Sequence, residues 1–266
     1  MPFLLAIVFW SLTIASMMLF KQGLDARPEA ISTAARSIDT QFFITLVVTG
    51  GIFVIAQGLL GLFVLKYHSK RPGPAAYLHG NTKIEATGAI LCGILFMTLG
   101  VMGQKVWIEI HLDDVKSNVH LVEITAEQFA WNVRYSGADG TFGRTSPHLY
   151  DAIRNPVGIE PGDPAGKDDI VILNQLVVPV SQPIELRLLA KDVLHSFYVP
   201  VLRIKQDTVP GLQTQLRFTA DKVGNYEIAC AELCGLGHYR MQGTLKVLQA
   251  QEYEDWLRQQ ANETDR

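Results

Sequence analysis

The chain has 266 residues, enough for one large domain or two smaller ones, and 48% hydrophobic against 18% charged residues is too apolar for an ordinary soluble domain of that size. Its net charge of −3 is unevenly spread: residues 1–106 hold four acids, whereas residues 107–266 hold 22 acids against 15 Lys and Arg, a net −7 with His neutral. An acidic second part argues against nucleic acid and for a cationic partner, and three cysteines do not make a disulfide framework.

Residues 3–20 (FLLAIVFWSLTIASMMLF) form an uncharged apolar run long enough to span a bilayer. The choice for residues 1–20 is between a transmembrane helix and a signal peptide. No basic segment precedes the run and no clean A-x-A site follows it, which favours a retained helix. Polar residues 21–40 lead into a second apolar run from Phe42 to Leu65. KYHSKRPGP follows, where Lys66, Lys70, Arg71 and, further on, Lys83 make a short basic loop of the kind that stays in the cytoplasm. Residues 84–104 then cross back, so residues 21–106 read as a transmembrane hairpin and everything from residue 107 lies outside. This topology leaves Lys21, Arg27 and Arg36 on the external side. Glu85, at the start of the returning run, reads first as a helix-start residue whose charge meets the positive end of the dipole. Cys92, within the run, reads as a small buried residue.

From Trp107 the periodicity changes. Short segments rich in β-branched and aromatic residues recur at 119–125, 128–135, 170–179, 183–189, 196–204, 213–219, 225–230 and 243–248, with turn residues between most of them. That pitch predicts an antiparallel sandwich or barrel over residues 107–250. Residues 137–169, rich in Gly and Pro, read as a long ordered excursion. Residues 251–266 form an amphipathic tail, a short helix with a frayed end.

The chemistry is concentrated in YEIACAELCGLGHYRMQGTLKV (226–247), where Cys230, Cys234, His238 and Met241 follow the spacing C-x3-C-x3-H-x2-M. Thiolate, thioether and imidazole donors suit copper; Met is not a normal zinc ligand, and a C-x3-C disulfide would leave His238 and Met241 unexplained. A mononuclear blue site uses a single thiolate, so two thiolates point to a binuclear centre, and each ion then needs an imidazole. The second imidazole must come from elsewhere. His195, in KDVLHSFYVPV just before an apolar strand, is placed for it, whereas His111, His120 and His148 read as surface or satisfied core groups.

These segments resemble the copper subunit, subunit II, of the cytochrome c oxidase family. CAELCGLGHYRM is similar to that family's CuA loop and KDVLHSFYVP to its other copper-ligand segment, with further similarity in IKQDTVPG (204–211) and EQFAWNVRY (127–135). The resemblance runs over nearly the whole chain from about residue 40. It implies a membrane-anchored all-β chain: two or three transmembrane helices, then a cupredoxin-like β-sandwich or barrel. The extra apolar run at the N-terminus resembles a bacterial branch with three helices. By the same resemblance His195 and His238 each bind one copper, Cys230 and Cys234 bridge the pair, Met241 is the weak axial ligand of one ion, and the Glu232 carbonyl that of the other. The Glu232 side chain matches a residue that shares a magnesium ion with the catalytic subunit. Glu85 matches an acid at the cytoplasmic mouth of a proton pathway. The family's aromatic segment commonly has a Trp, through which electrons enter, where this chain has Phe129, and Trp131 follows two positions later; both are carried as candidates. Where the family commonly has His-Ser-Trp, this chain has His195, Ser196 and Phe197.

The implied function is that of the electron-accepting subunit of a terminal haem-copper oxidase in the bacterial cell membrane. Its donor is cytochrome c and its partners are the haem-bearing catalytic subunit, other oxidase subunits and the bilayer. The haem belongs to the partner, and no C-x2-C-H attachment motif occurs here. The alternatives are a binuclear-copper subunit of a nitric oxide reductase and a membrane-anchored copper-binding or assembly protein.

Overall fold

The computed structural model describes residues 1–68, 73–74, 77, 79–112 and 119–264. Lys70 and Arg71 of the expected basic loop lie outside the described residues. The chain divides into two compact units, residues 1–29 with 38–105, and residues 30–37 with 106–266.

Three helices supply the first unit: α1 (Pro2–Asp25), α2 (Thr33–Lys66) and α3 (Thr82–His111). All three are long and apolar enough to cross a membrane. Phe43, Ile52, Phe63, Ile90 and Phe96 stand exposed around α2 and α3, an apolar surface of the kind a membrane-spanning helix presents. Local signals start the helices. Pro2 occupies the first turn of α1, the Ser32 hydroxyl accepts from Ala35 N at 3.0 Å, and the Asn81 carboxamide accepts from Lys83 N at 3.1 Å. Trp10 of α1 lies so close to Gly61 of α2 that any Cβ there would collide with the indole, and the Gln41 amide donates to Leu99 O at 3.0 Å to tie α2 to α3. Cys92, expected to be buried, is instead exposed on α3; three helices are too few to enclose it, and an apolar helix face has no need of protein cover in lipid.

The connector at residues 30–37 is part of the β unit. Ile31 and Ala35 are buried there, Ile31 N donates to Val201 O at 3.1 Å, Asp221 N donates to Ile31 O at 2.8 Å, and Arg36 pairs with Asp221 at 2.5 Å.

Ten strands build the β unit in two five-stranded sheets. The first runs in the order β3 (Ile170–Leu173), β2 (Ala130–Tyr135), β1 (His120–Glu127), β5 (Ile184–Ala190), β8 (Thr214–Phe218). The second runs β4 (Gln175–Pro179), β10 (Gln242–Leu248), β9 (Gly224–Cys230), β6 (His195–Val199), β7 (Ile204–Thr208). Alternating positions fill the space between the sheets: Val122 and Ile124, Trp131 and Val133, and Leu186 and Leu188 from the first; Phe197, Ile228, Leu245 and Val247 from the second. Each such fully buried side chain contributes about 1.5–3 kcal/mol.

The sheets are mixed, not purely antiparallel. β1 runs parallel to β5 and β4 parallel to β10, because strands distant in sequence meet edge to edge when the chain passes between sheets. The segment 170–179, expected as one strand, is two strands in different sheets. Asn174 stands between them at φ 57, a conformation its short polar side chain tolerates. There it exchanges bonds with Trp131 (Asn174 N to Trp131 O 2.7 Å, Trp131 N to Asn174 Oδ1 2.8 Å) and accepts from Thr244 N at 2.9 Å, stitching the sheets together. The expected strand 196–204 likewise breaks at the turn Pro200–Leu202, closed by Arg203 at φ 56.

The excursion 137–169 is anchored by Arg134, which is 2% exposed. Its guanidinium donates to Asp169, to Glu123 Oε2 at 3.0 Å and to Gly143 O at 2.5 Å, and lies 5.0 Å from the Phe142 ring centroid. The tail is α4 (Ala250–Thr264); Trp256 packs on Tyr135 at 5.2 Å and Tyr253 on His120 at 5.6 Å.

Candidate metal centre

The soft donors converge because two strands of the second sheet are paired. β6 starts at His195 and β9 ends at Cys230, and their ladder aligns Phe197 with Cys230 and Tyr198 with Ala229. Ala231 N donates to Ser196 O at 2.9 Å, continuing that alignment into the loop. The loop from Ala231 to Met241 is closed at its base by Cys230 N donating to Met241 O at 3.1 Å. Inside it, Gly235 takes φ +131, a value side-chain-bearing residues rarely adopt, and the turn His238–Arg240 swings the imidazole and thioether back toward the thiols.

Donor atoms of His195, Cys230 and Cys234 lie within 4.8 Å of one another. The two thiols are free, with their sulfurs 3.8 Å apart. Cys234 Sγ is 3.5 Å from His238 Nδ1 and 3.8 Å from Met241 Sδ, and Cys230 Sγ is 3.2 Å from the Glu232 carbonyl oxygen. The six sequence-predicted positions therefore meet in one place, at the end of the sheet. Cys234 and Met241 are buried, while Cys230, Glu232 and His238 are half-buried.

His195 is fully buried. Its Nε2 faces Asp192 Oδ1 at 2.9 Å, whereas Nδ1 is a buried nitrogen without a hydrogen-bond partner, on a ring whose neighbours are the thiols. An orphaned imidazole nitrogen beside two thiols and a thioether is the donor set that copper takes, so the residues present fit that metal. Burial acts to raise the Cys230 thiol, but the His195 imidazole and backbone hydrogen bonds at Ser196 and Glu232 outweigh it and bring the group down to about 6. Burial and then the charge on Cys230 push Cys234 up to about 11. Burial works against protonation of His195, yet Cys230 and Asp192 together raise it.

The aromatic candidates sit at different depths. Phe129 is half-buried and covers the metal loop: a Cβ added at Gly237 would lie 2.5 Å from its ring. Trp131 is fully buried, edge-on to Phe197 at 5.5 Å and to His195 at 6.3 Å. Leu233, Leu236 and Tyr239 of the loop are exposed. Glu85 lies apart from all of these, in the first turn of α3. Two residues that contact the ligands escaped the reading of the sequence. Asp192 stands three positions before His195, and Gln128 donates through its side chain to Cys234 O at 2.5 Å. The KDVLH spacing offered a clue to Asp192; nothing local marks Gln128.

Residues 124–248 match the family model described as cytochrome C oxidase subunit II, periplasmic domain. The chain is 35% identical over 231 residues to an alternative cytochrome c oxidase subunit 2 of Bradyrhizobium diazoefficiens, covering 86% of this chain and 82% of the relative. It is 30% identical over 257 residues to a cytochrome c oxidase subunit 2 of Thermostichus vulcanus, covering 87% and 77%. Among solved structures, the periplasmic domain of subunit II of cytochrome oxidase from Bradyrhizobium japonicum aligns with a TM-score of 0.42 at 25% identity, covering 57% of this chain and 99% of that one.

Proposed function

The chain belongs to the cytochrome c oxidase subunit II family, a component of an oxidoreductase complex, and on that premise we propose that it takes electrons singly from a cytochrome c at a binuclear copper centre and passes them to the haem of the catalytic subunit, where oxygen is reduced. The observation that carries this reading is the buried, unpartnered His195 Nδ1 beside two free thiols.

His195, His238, Cys230 and Cys234 would hold the copper pair, with Met241 and the Glu232 carbonyl as weaker donors. Bound there, copper would supply one-electron redox chemistry. The chain's own contribution is rigidity. The ligands sit on paired strands and on a loop whose base is hydrogen-bonded, so they have little freedom to move. Phe129, half-buried in the turn between β1 and β2 and packed on Gly235 and Gly237 of the metal loop, is the proposed place where electrons enter, with Trp131 as the inner aromatic against His195. Exposed Leu233, Leu236 and Tyr239 supply an apolar contact area, and the acidic domain steers a cationic donor toward it. The Glu232 side chain is the proposed magnesium ligand at the boundary with the catalytic subunit, and Glu85 the proposed acid at a proton pathway.

The domain division proposed is an N-terminal apolar helix over 1–20, a hairpin over 21–106, the copper domain over 107–250 and a tail over 251–266. A three-span arrangement in the bacterial cell membrane with the copper domain outside is supported by the connector 30–37, which folds into the β unit and so shares its side of the bilayer. The relatives reported above are oxidase subunits, which favours an oxidase over a nitric oxide reductase.

The test is metal stoichiometry and electron spin resonance on the full chain in detergent, reconstituted with copper. Two coppers per chain and hyperfine structure from two equivalent nuclei are expected. Cys234→Ser should abolish the shared spin and Cys92→Ser should leave it intact. One copper with the hyperfine pattern of a single nucleus would refute the binuclear reading.

A further inference from the structure

The backbone pairing of the strands that carry His195 and Cys230 stops short of the loop that carries Cys234. The β6–β9 ladder is only two residue pairs long and ends at Cys230, so it does not reach Cys234 on the loop beyond. A third element closes the gap. Asp192 Oδ1 accepts from His195 Nε2 at 2.9 Å and from Val193 N at 2.7 Å; Asp192 Oδ2 accepts from Gln128 N at 2.7 Å; and the Gln128 side chain donates to Cys234 O at 2.5 Å. The circuit His195–Asp192–Gln128–Cys234 thus runs through the turn between β1 and β2, the same turn that lays Phe129 over Gly235 and Gly237.

We propose that Asp192 and Gln128 are positioning residues, a hydrogen-bonded bracket that fixes His195 and Cys234 relative to each other before metal arrives. The inference rests on the copper reading of the site. Its chemistry differs at the two ends. At His195 the carboxylate holds the proton on Nε2, leaves the Nδ1 lone pair free beside the thiols, and makes the ring a stronger donor. A stronger, negatively backed donor favours the oxidised metal, so Asp192 lowers the reduction potential. At Cys234 the Gln128 amide fixes the carbonyl, and with it the direction of the thiol, without adding charge. Gly235, which directly follows Cys234 at φ +131, leaves that stretch with little side-chain packing of its own, which is why an outside hydrogen bond matters there.

The experiment compares the full chain in detergent with its Asp192→Asn, Gln128→Ala and double variants, with Asp151→Asn in the excursion as a control. Copper affinity, reduction potential and, in the copper-free state, the tautomer of His195 by nitrogen NMR are measured. Asp192→Asn should weaken copper binding by about 10–100-fold. It should also move the redox equilibrium toward the reduced form by on the order of tenfold, about 59 mV for one electron. Gln128→Ala should weaken binding with a smaller change in potential. The double variant should lose less than the sum of the two, since one circuit is being broken twice, and Asp151→Asn should match the parent. Strictly additive losses, or an Asp192→Asn variant with parental affinity and potential, would overturn the bracket. So would a copper-free parent whose His195 carries its proton on Nδ1. A parent that fails to take up copper while keeping the proton on Nε2 would instead overturn the copper reading and leave the bracket's geometry standing.

Discussion

Replacing Gly237 with alanine isolates one contact at the metal loop. The backbone there (φ −92, ψ 5) is that of the third residue of a type I turn, which most residues adopt, so the substitution carries little conformational penalty of its own. Its cost is steric: the new Cβ would lie 2.5, 2.6 and 2.7 Å from Cδ2, Cε2 and Cγ of Phe129, against about 3.5–4.0 Å for relaxed carbon contacts. The far end of the ring also lies close to Gly235, where a Cβ would be 3.3 Å from Cζ, so either Phe129 or the loop must shift. Overpacking of this kind costs about 1–3 kcal/mol. Because His238 is the next residue, a displaced loop should also weaken copper binding. The assay is denaturant unfolding of the full chain in detergent followed by tryptophan fluorescence, with copper release measured in parallel. Phe129→Ala removes the obstructing ring, so the double variant should be less destabilised than the two single changes combined, with a coupling of about 0.5–3 kcal/mol. A Gly237→Ala protein within about 0.5 kcal/mol of the parent, the range of an ordinary surface change, would refute the reasoning, as would strict additivity in the double variant.

Arg134→Met strands the buried Asp169 carboxylate and Glu123, and should destabilise the β unit by about 3–5 kcal/mol. Adding Asp169→Asn should recover part of that loss, and no recovery would show that the charge pairing is not the source. Burial raises Tyr135 and Tyr253 well above the usual tyrosine range. Their native forms keep the proton while the unfolded chain releases it above pH about 10, so stability is unaffected below that pH and falls as pH rises through it. Phenolate absorbance at these two positions should appear together with unfolding; ionisation of both in the intact fold would contradict it. Electron transfer from a cationic cytochrome c should slow with added salt as the domain's field is screened, and a flat response would leave only the apolar area around Leu236 as the docking force.

The metal loop was legible in the sequence because its chemistry is local. Cys230, Cys234, His238 and Met241 fall within twelve residues, and thiolates together with a thioether and an imidazole point to copper over zinc. The spans were legible for a similar reason, since hydropathy is a property of contiguous residues. The excursion and most strands could be placed from turn residues. The breaks at Asn174 and Arg203 could not, because what makes each a boundary is its pairing with residues far along the chain. Strand direction was hidden for the same reason: period-two alternation is identical in parallel and antiparallel neighbours, so β1 against β5 and β4 against β10 gave no local sign. The sequence by itself therefore determined the cluster of soft donors and the apolar spans. Tertiary structure alone decided how those donors are held. Asp192 and Gln128 reach His195 and Cys234 only once three elements pack together, and a hydrogen bond between residues 106 positions apart leaves no trace in either one's neighbourhood.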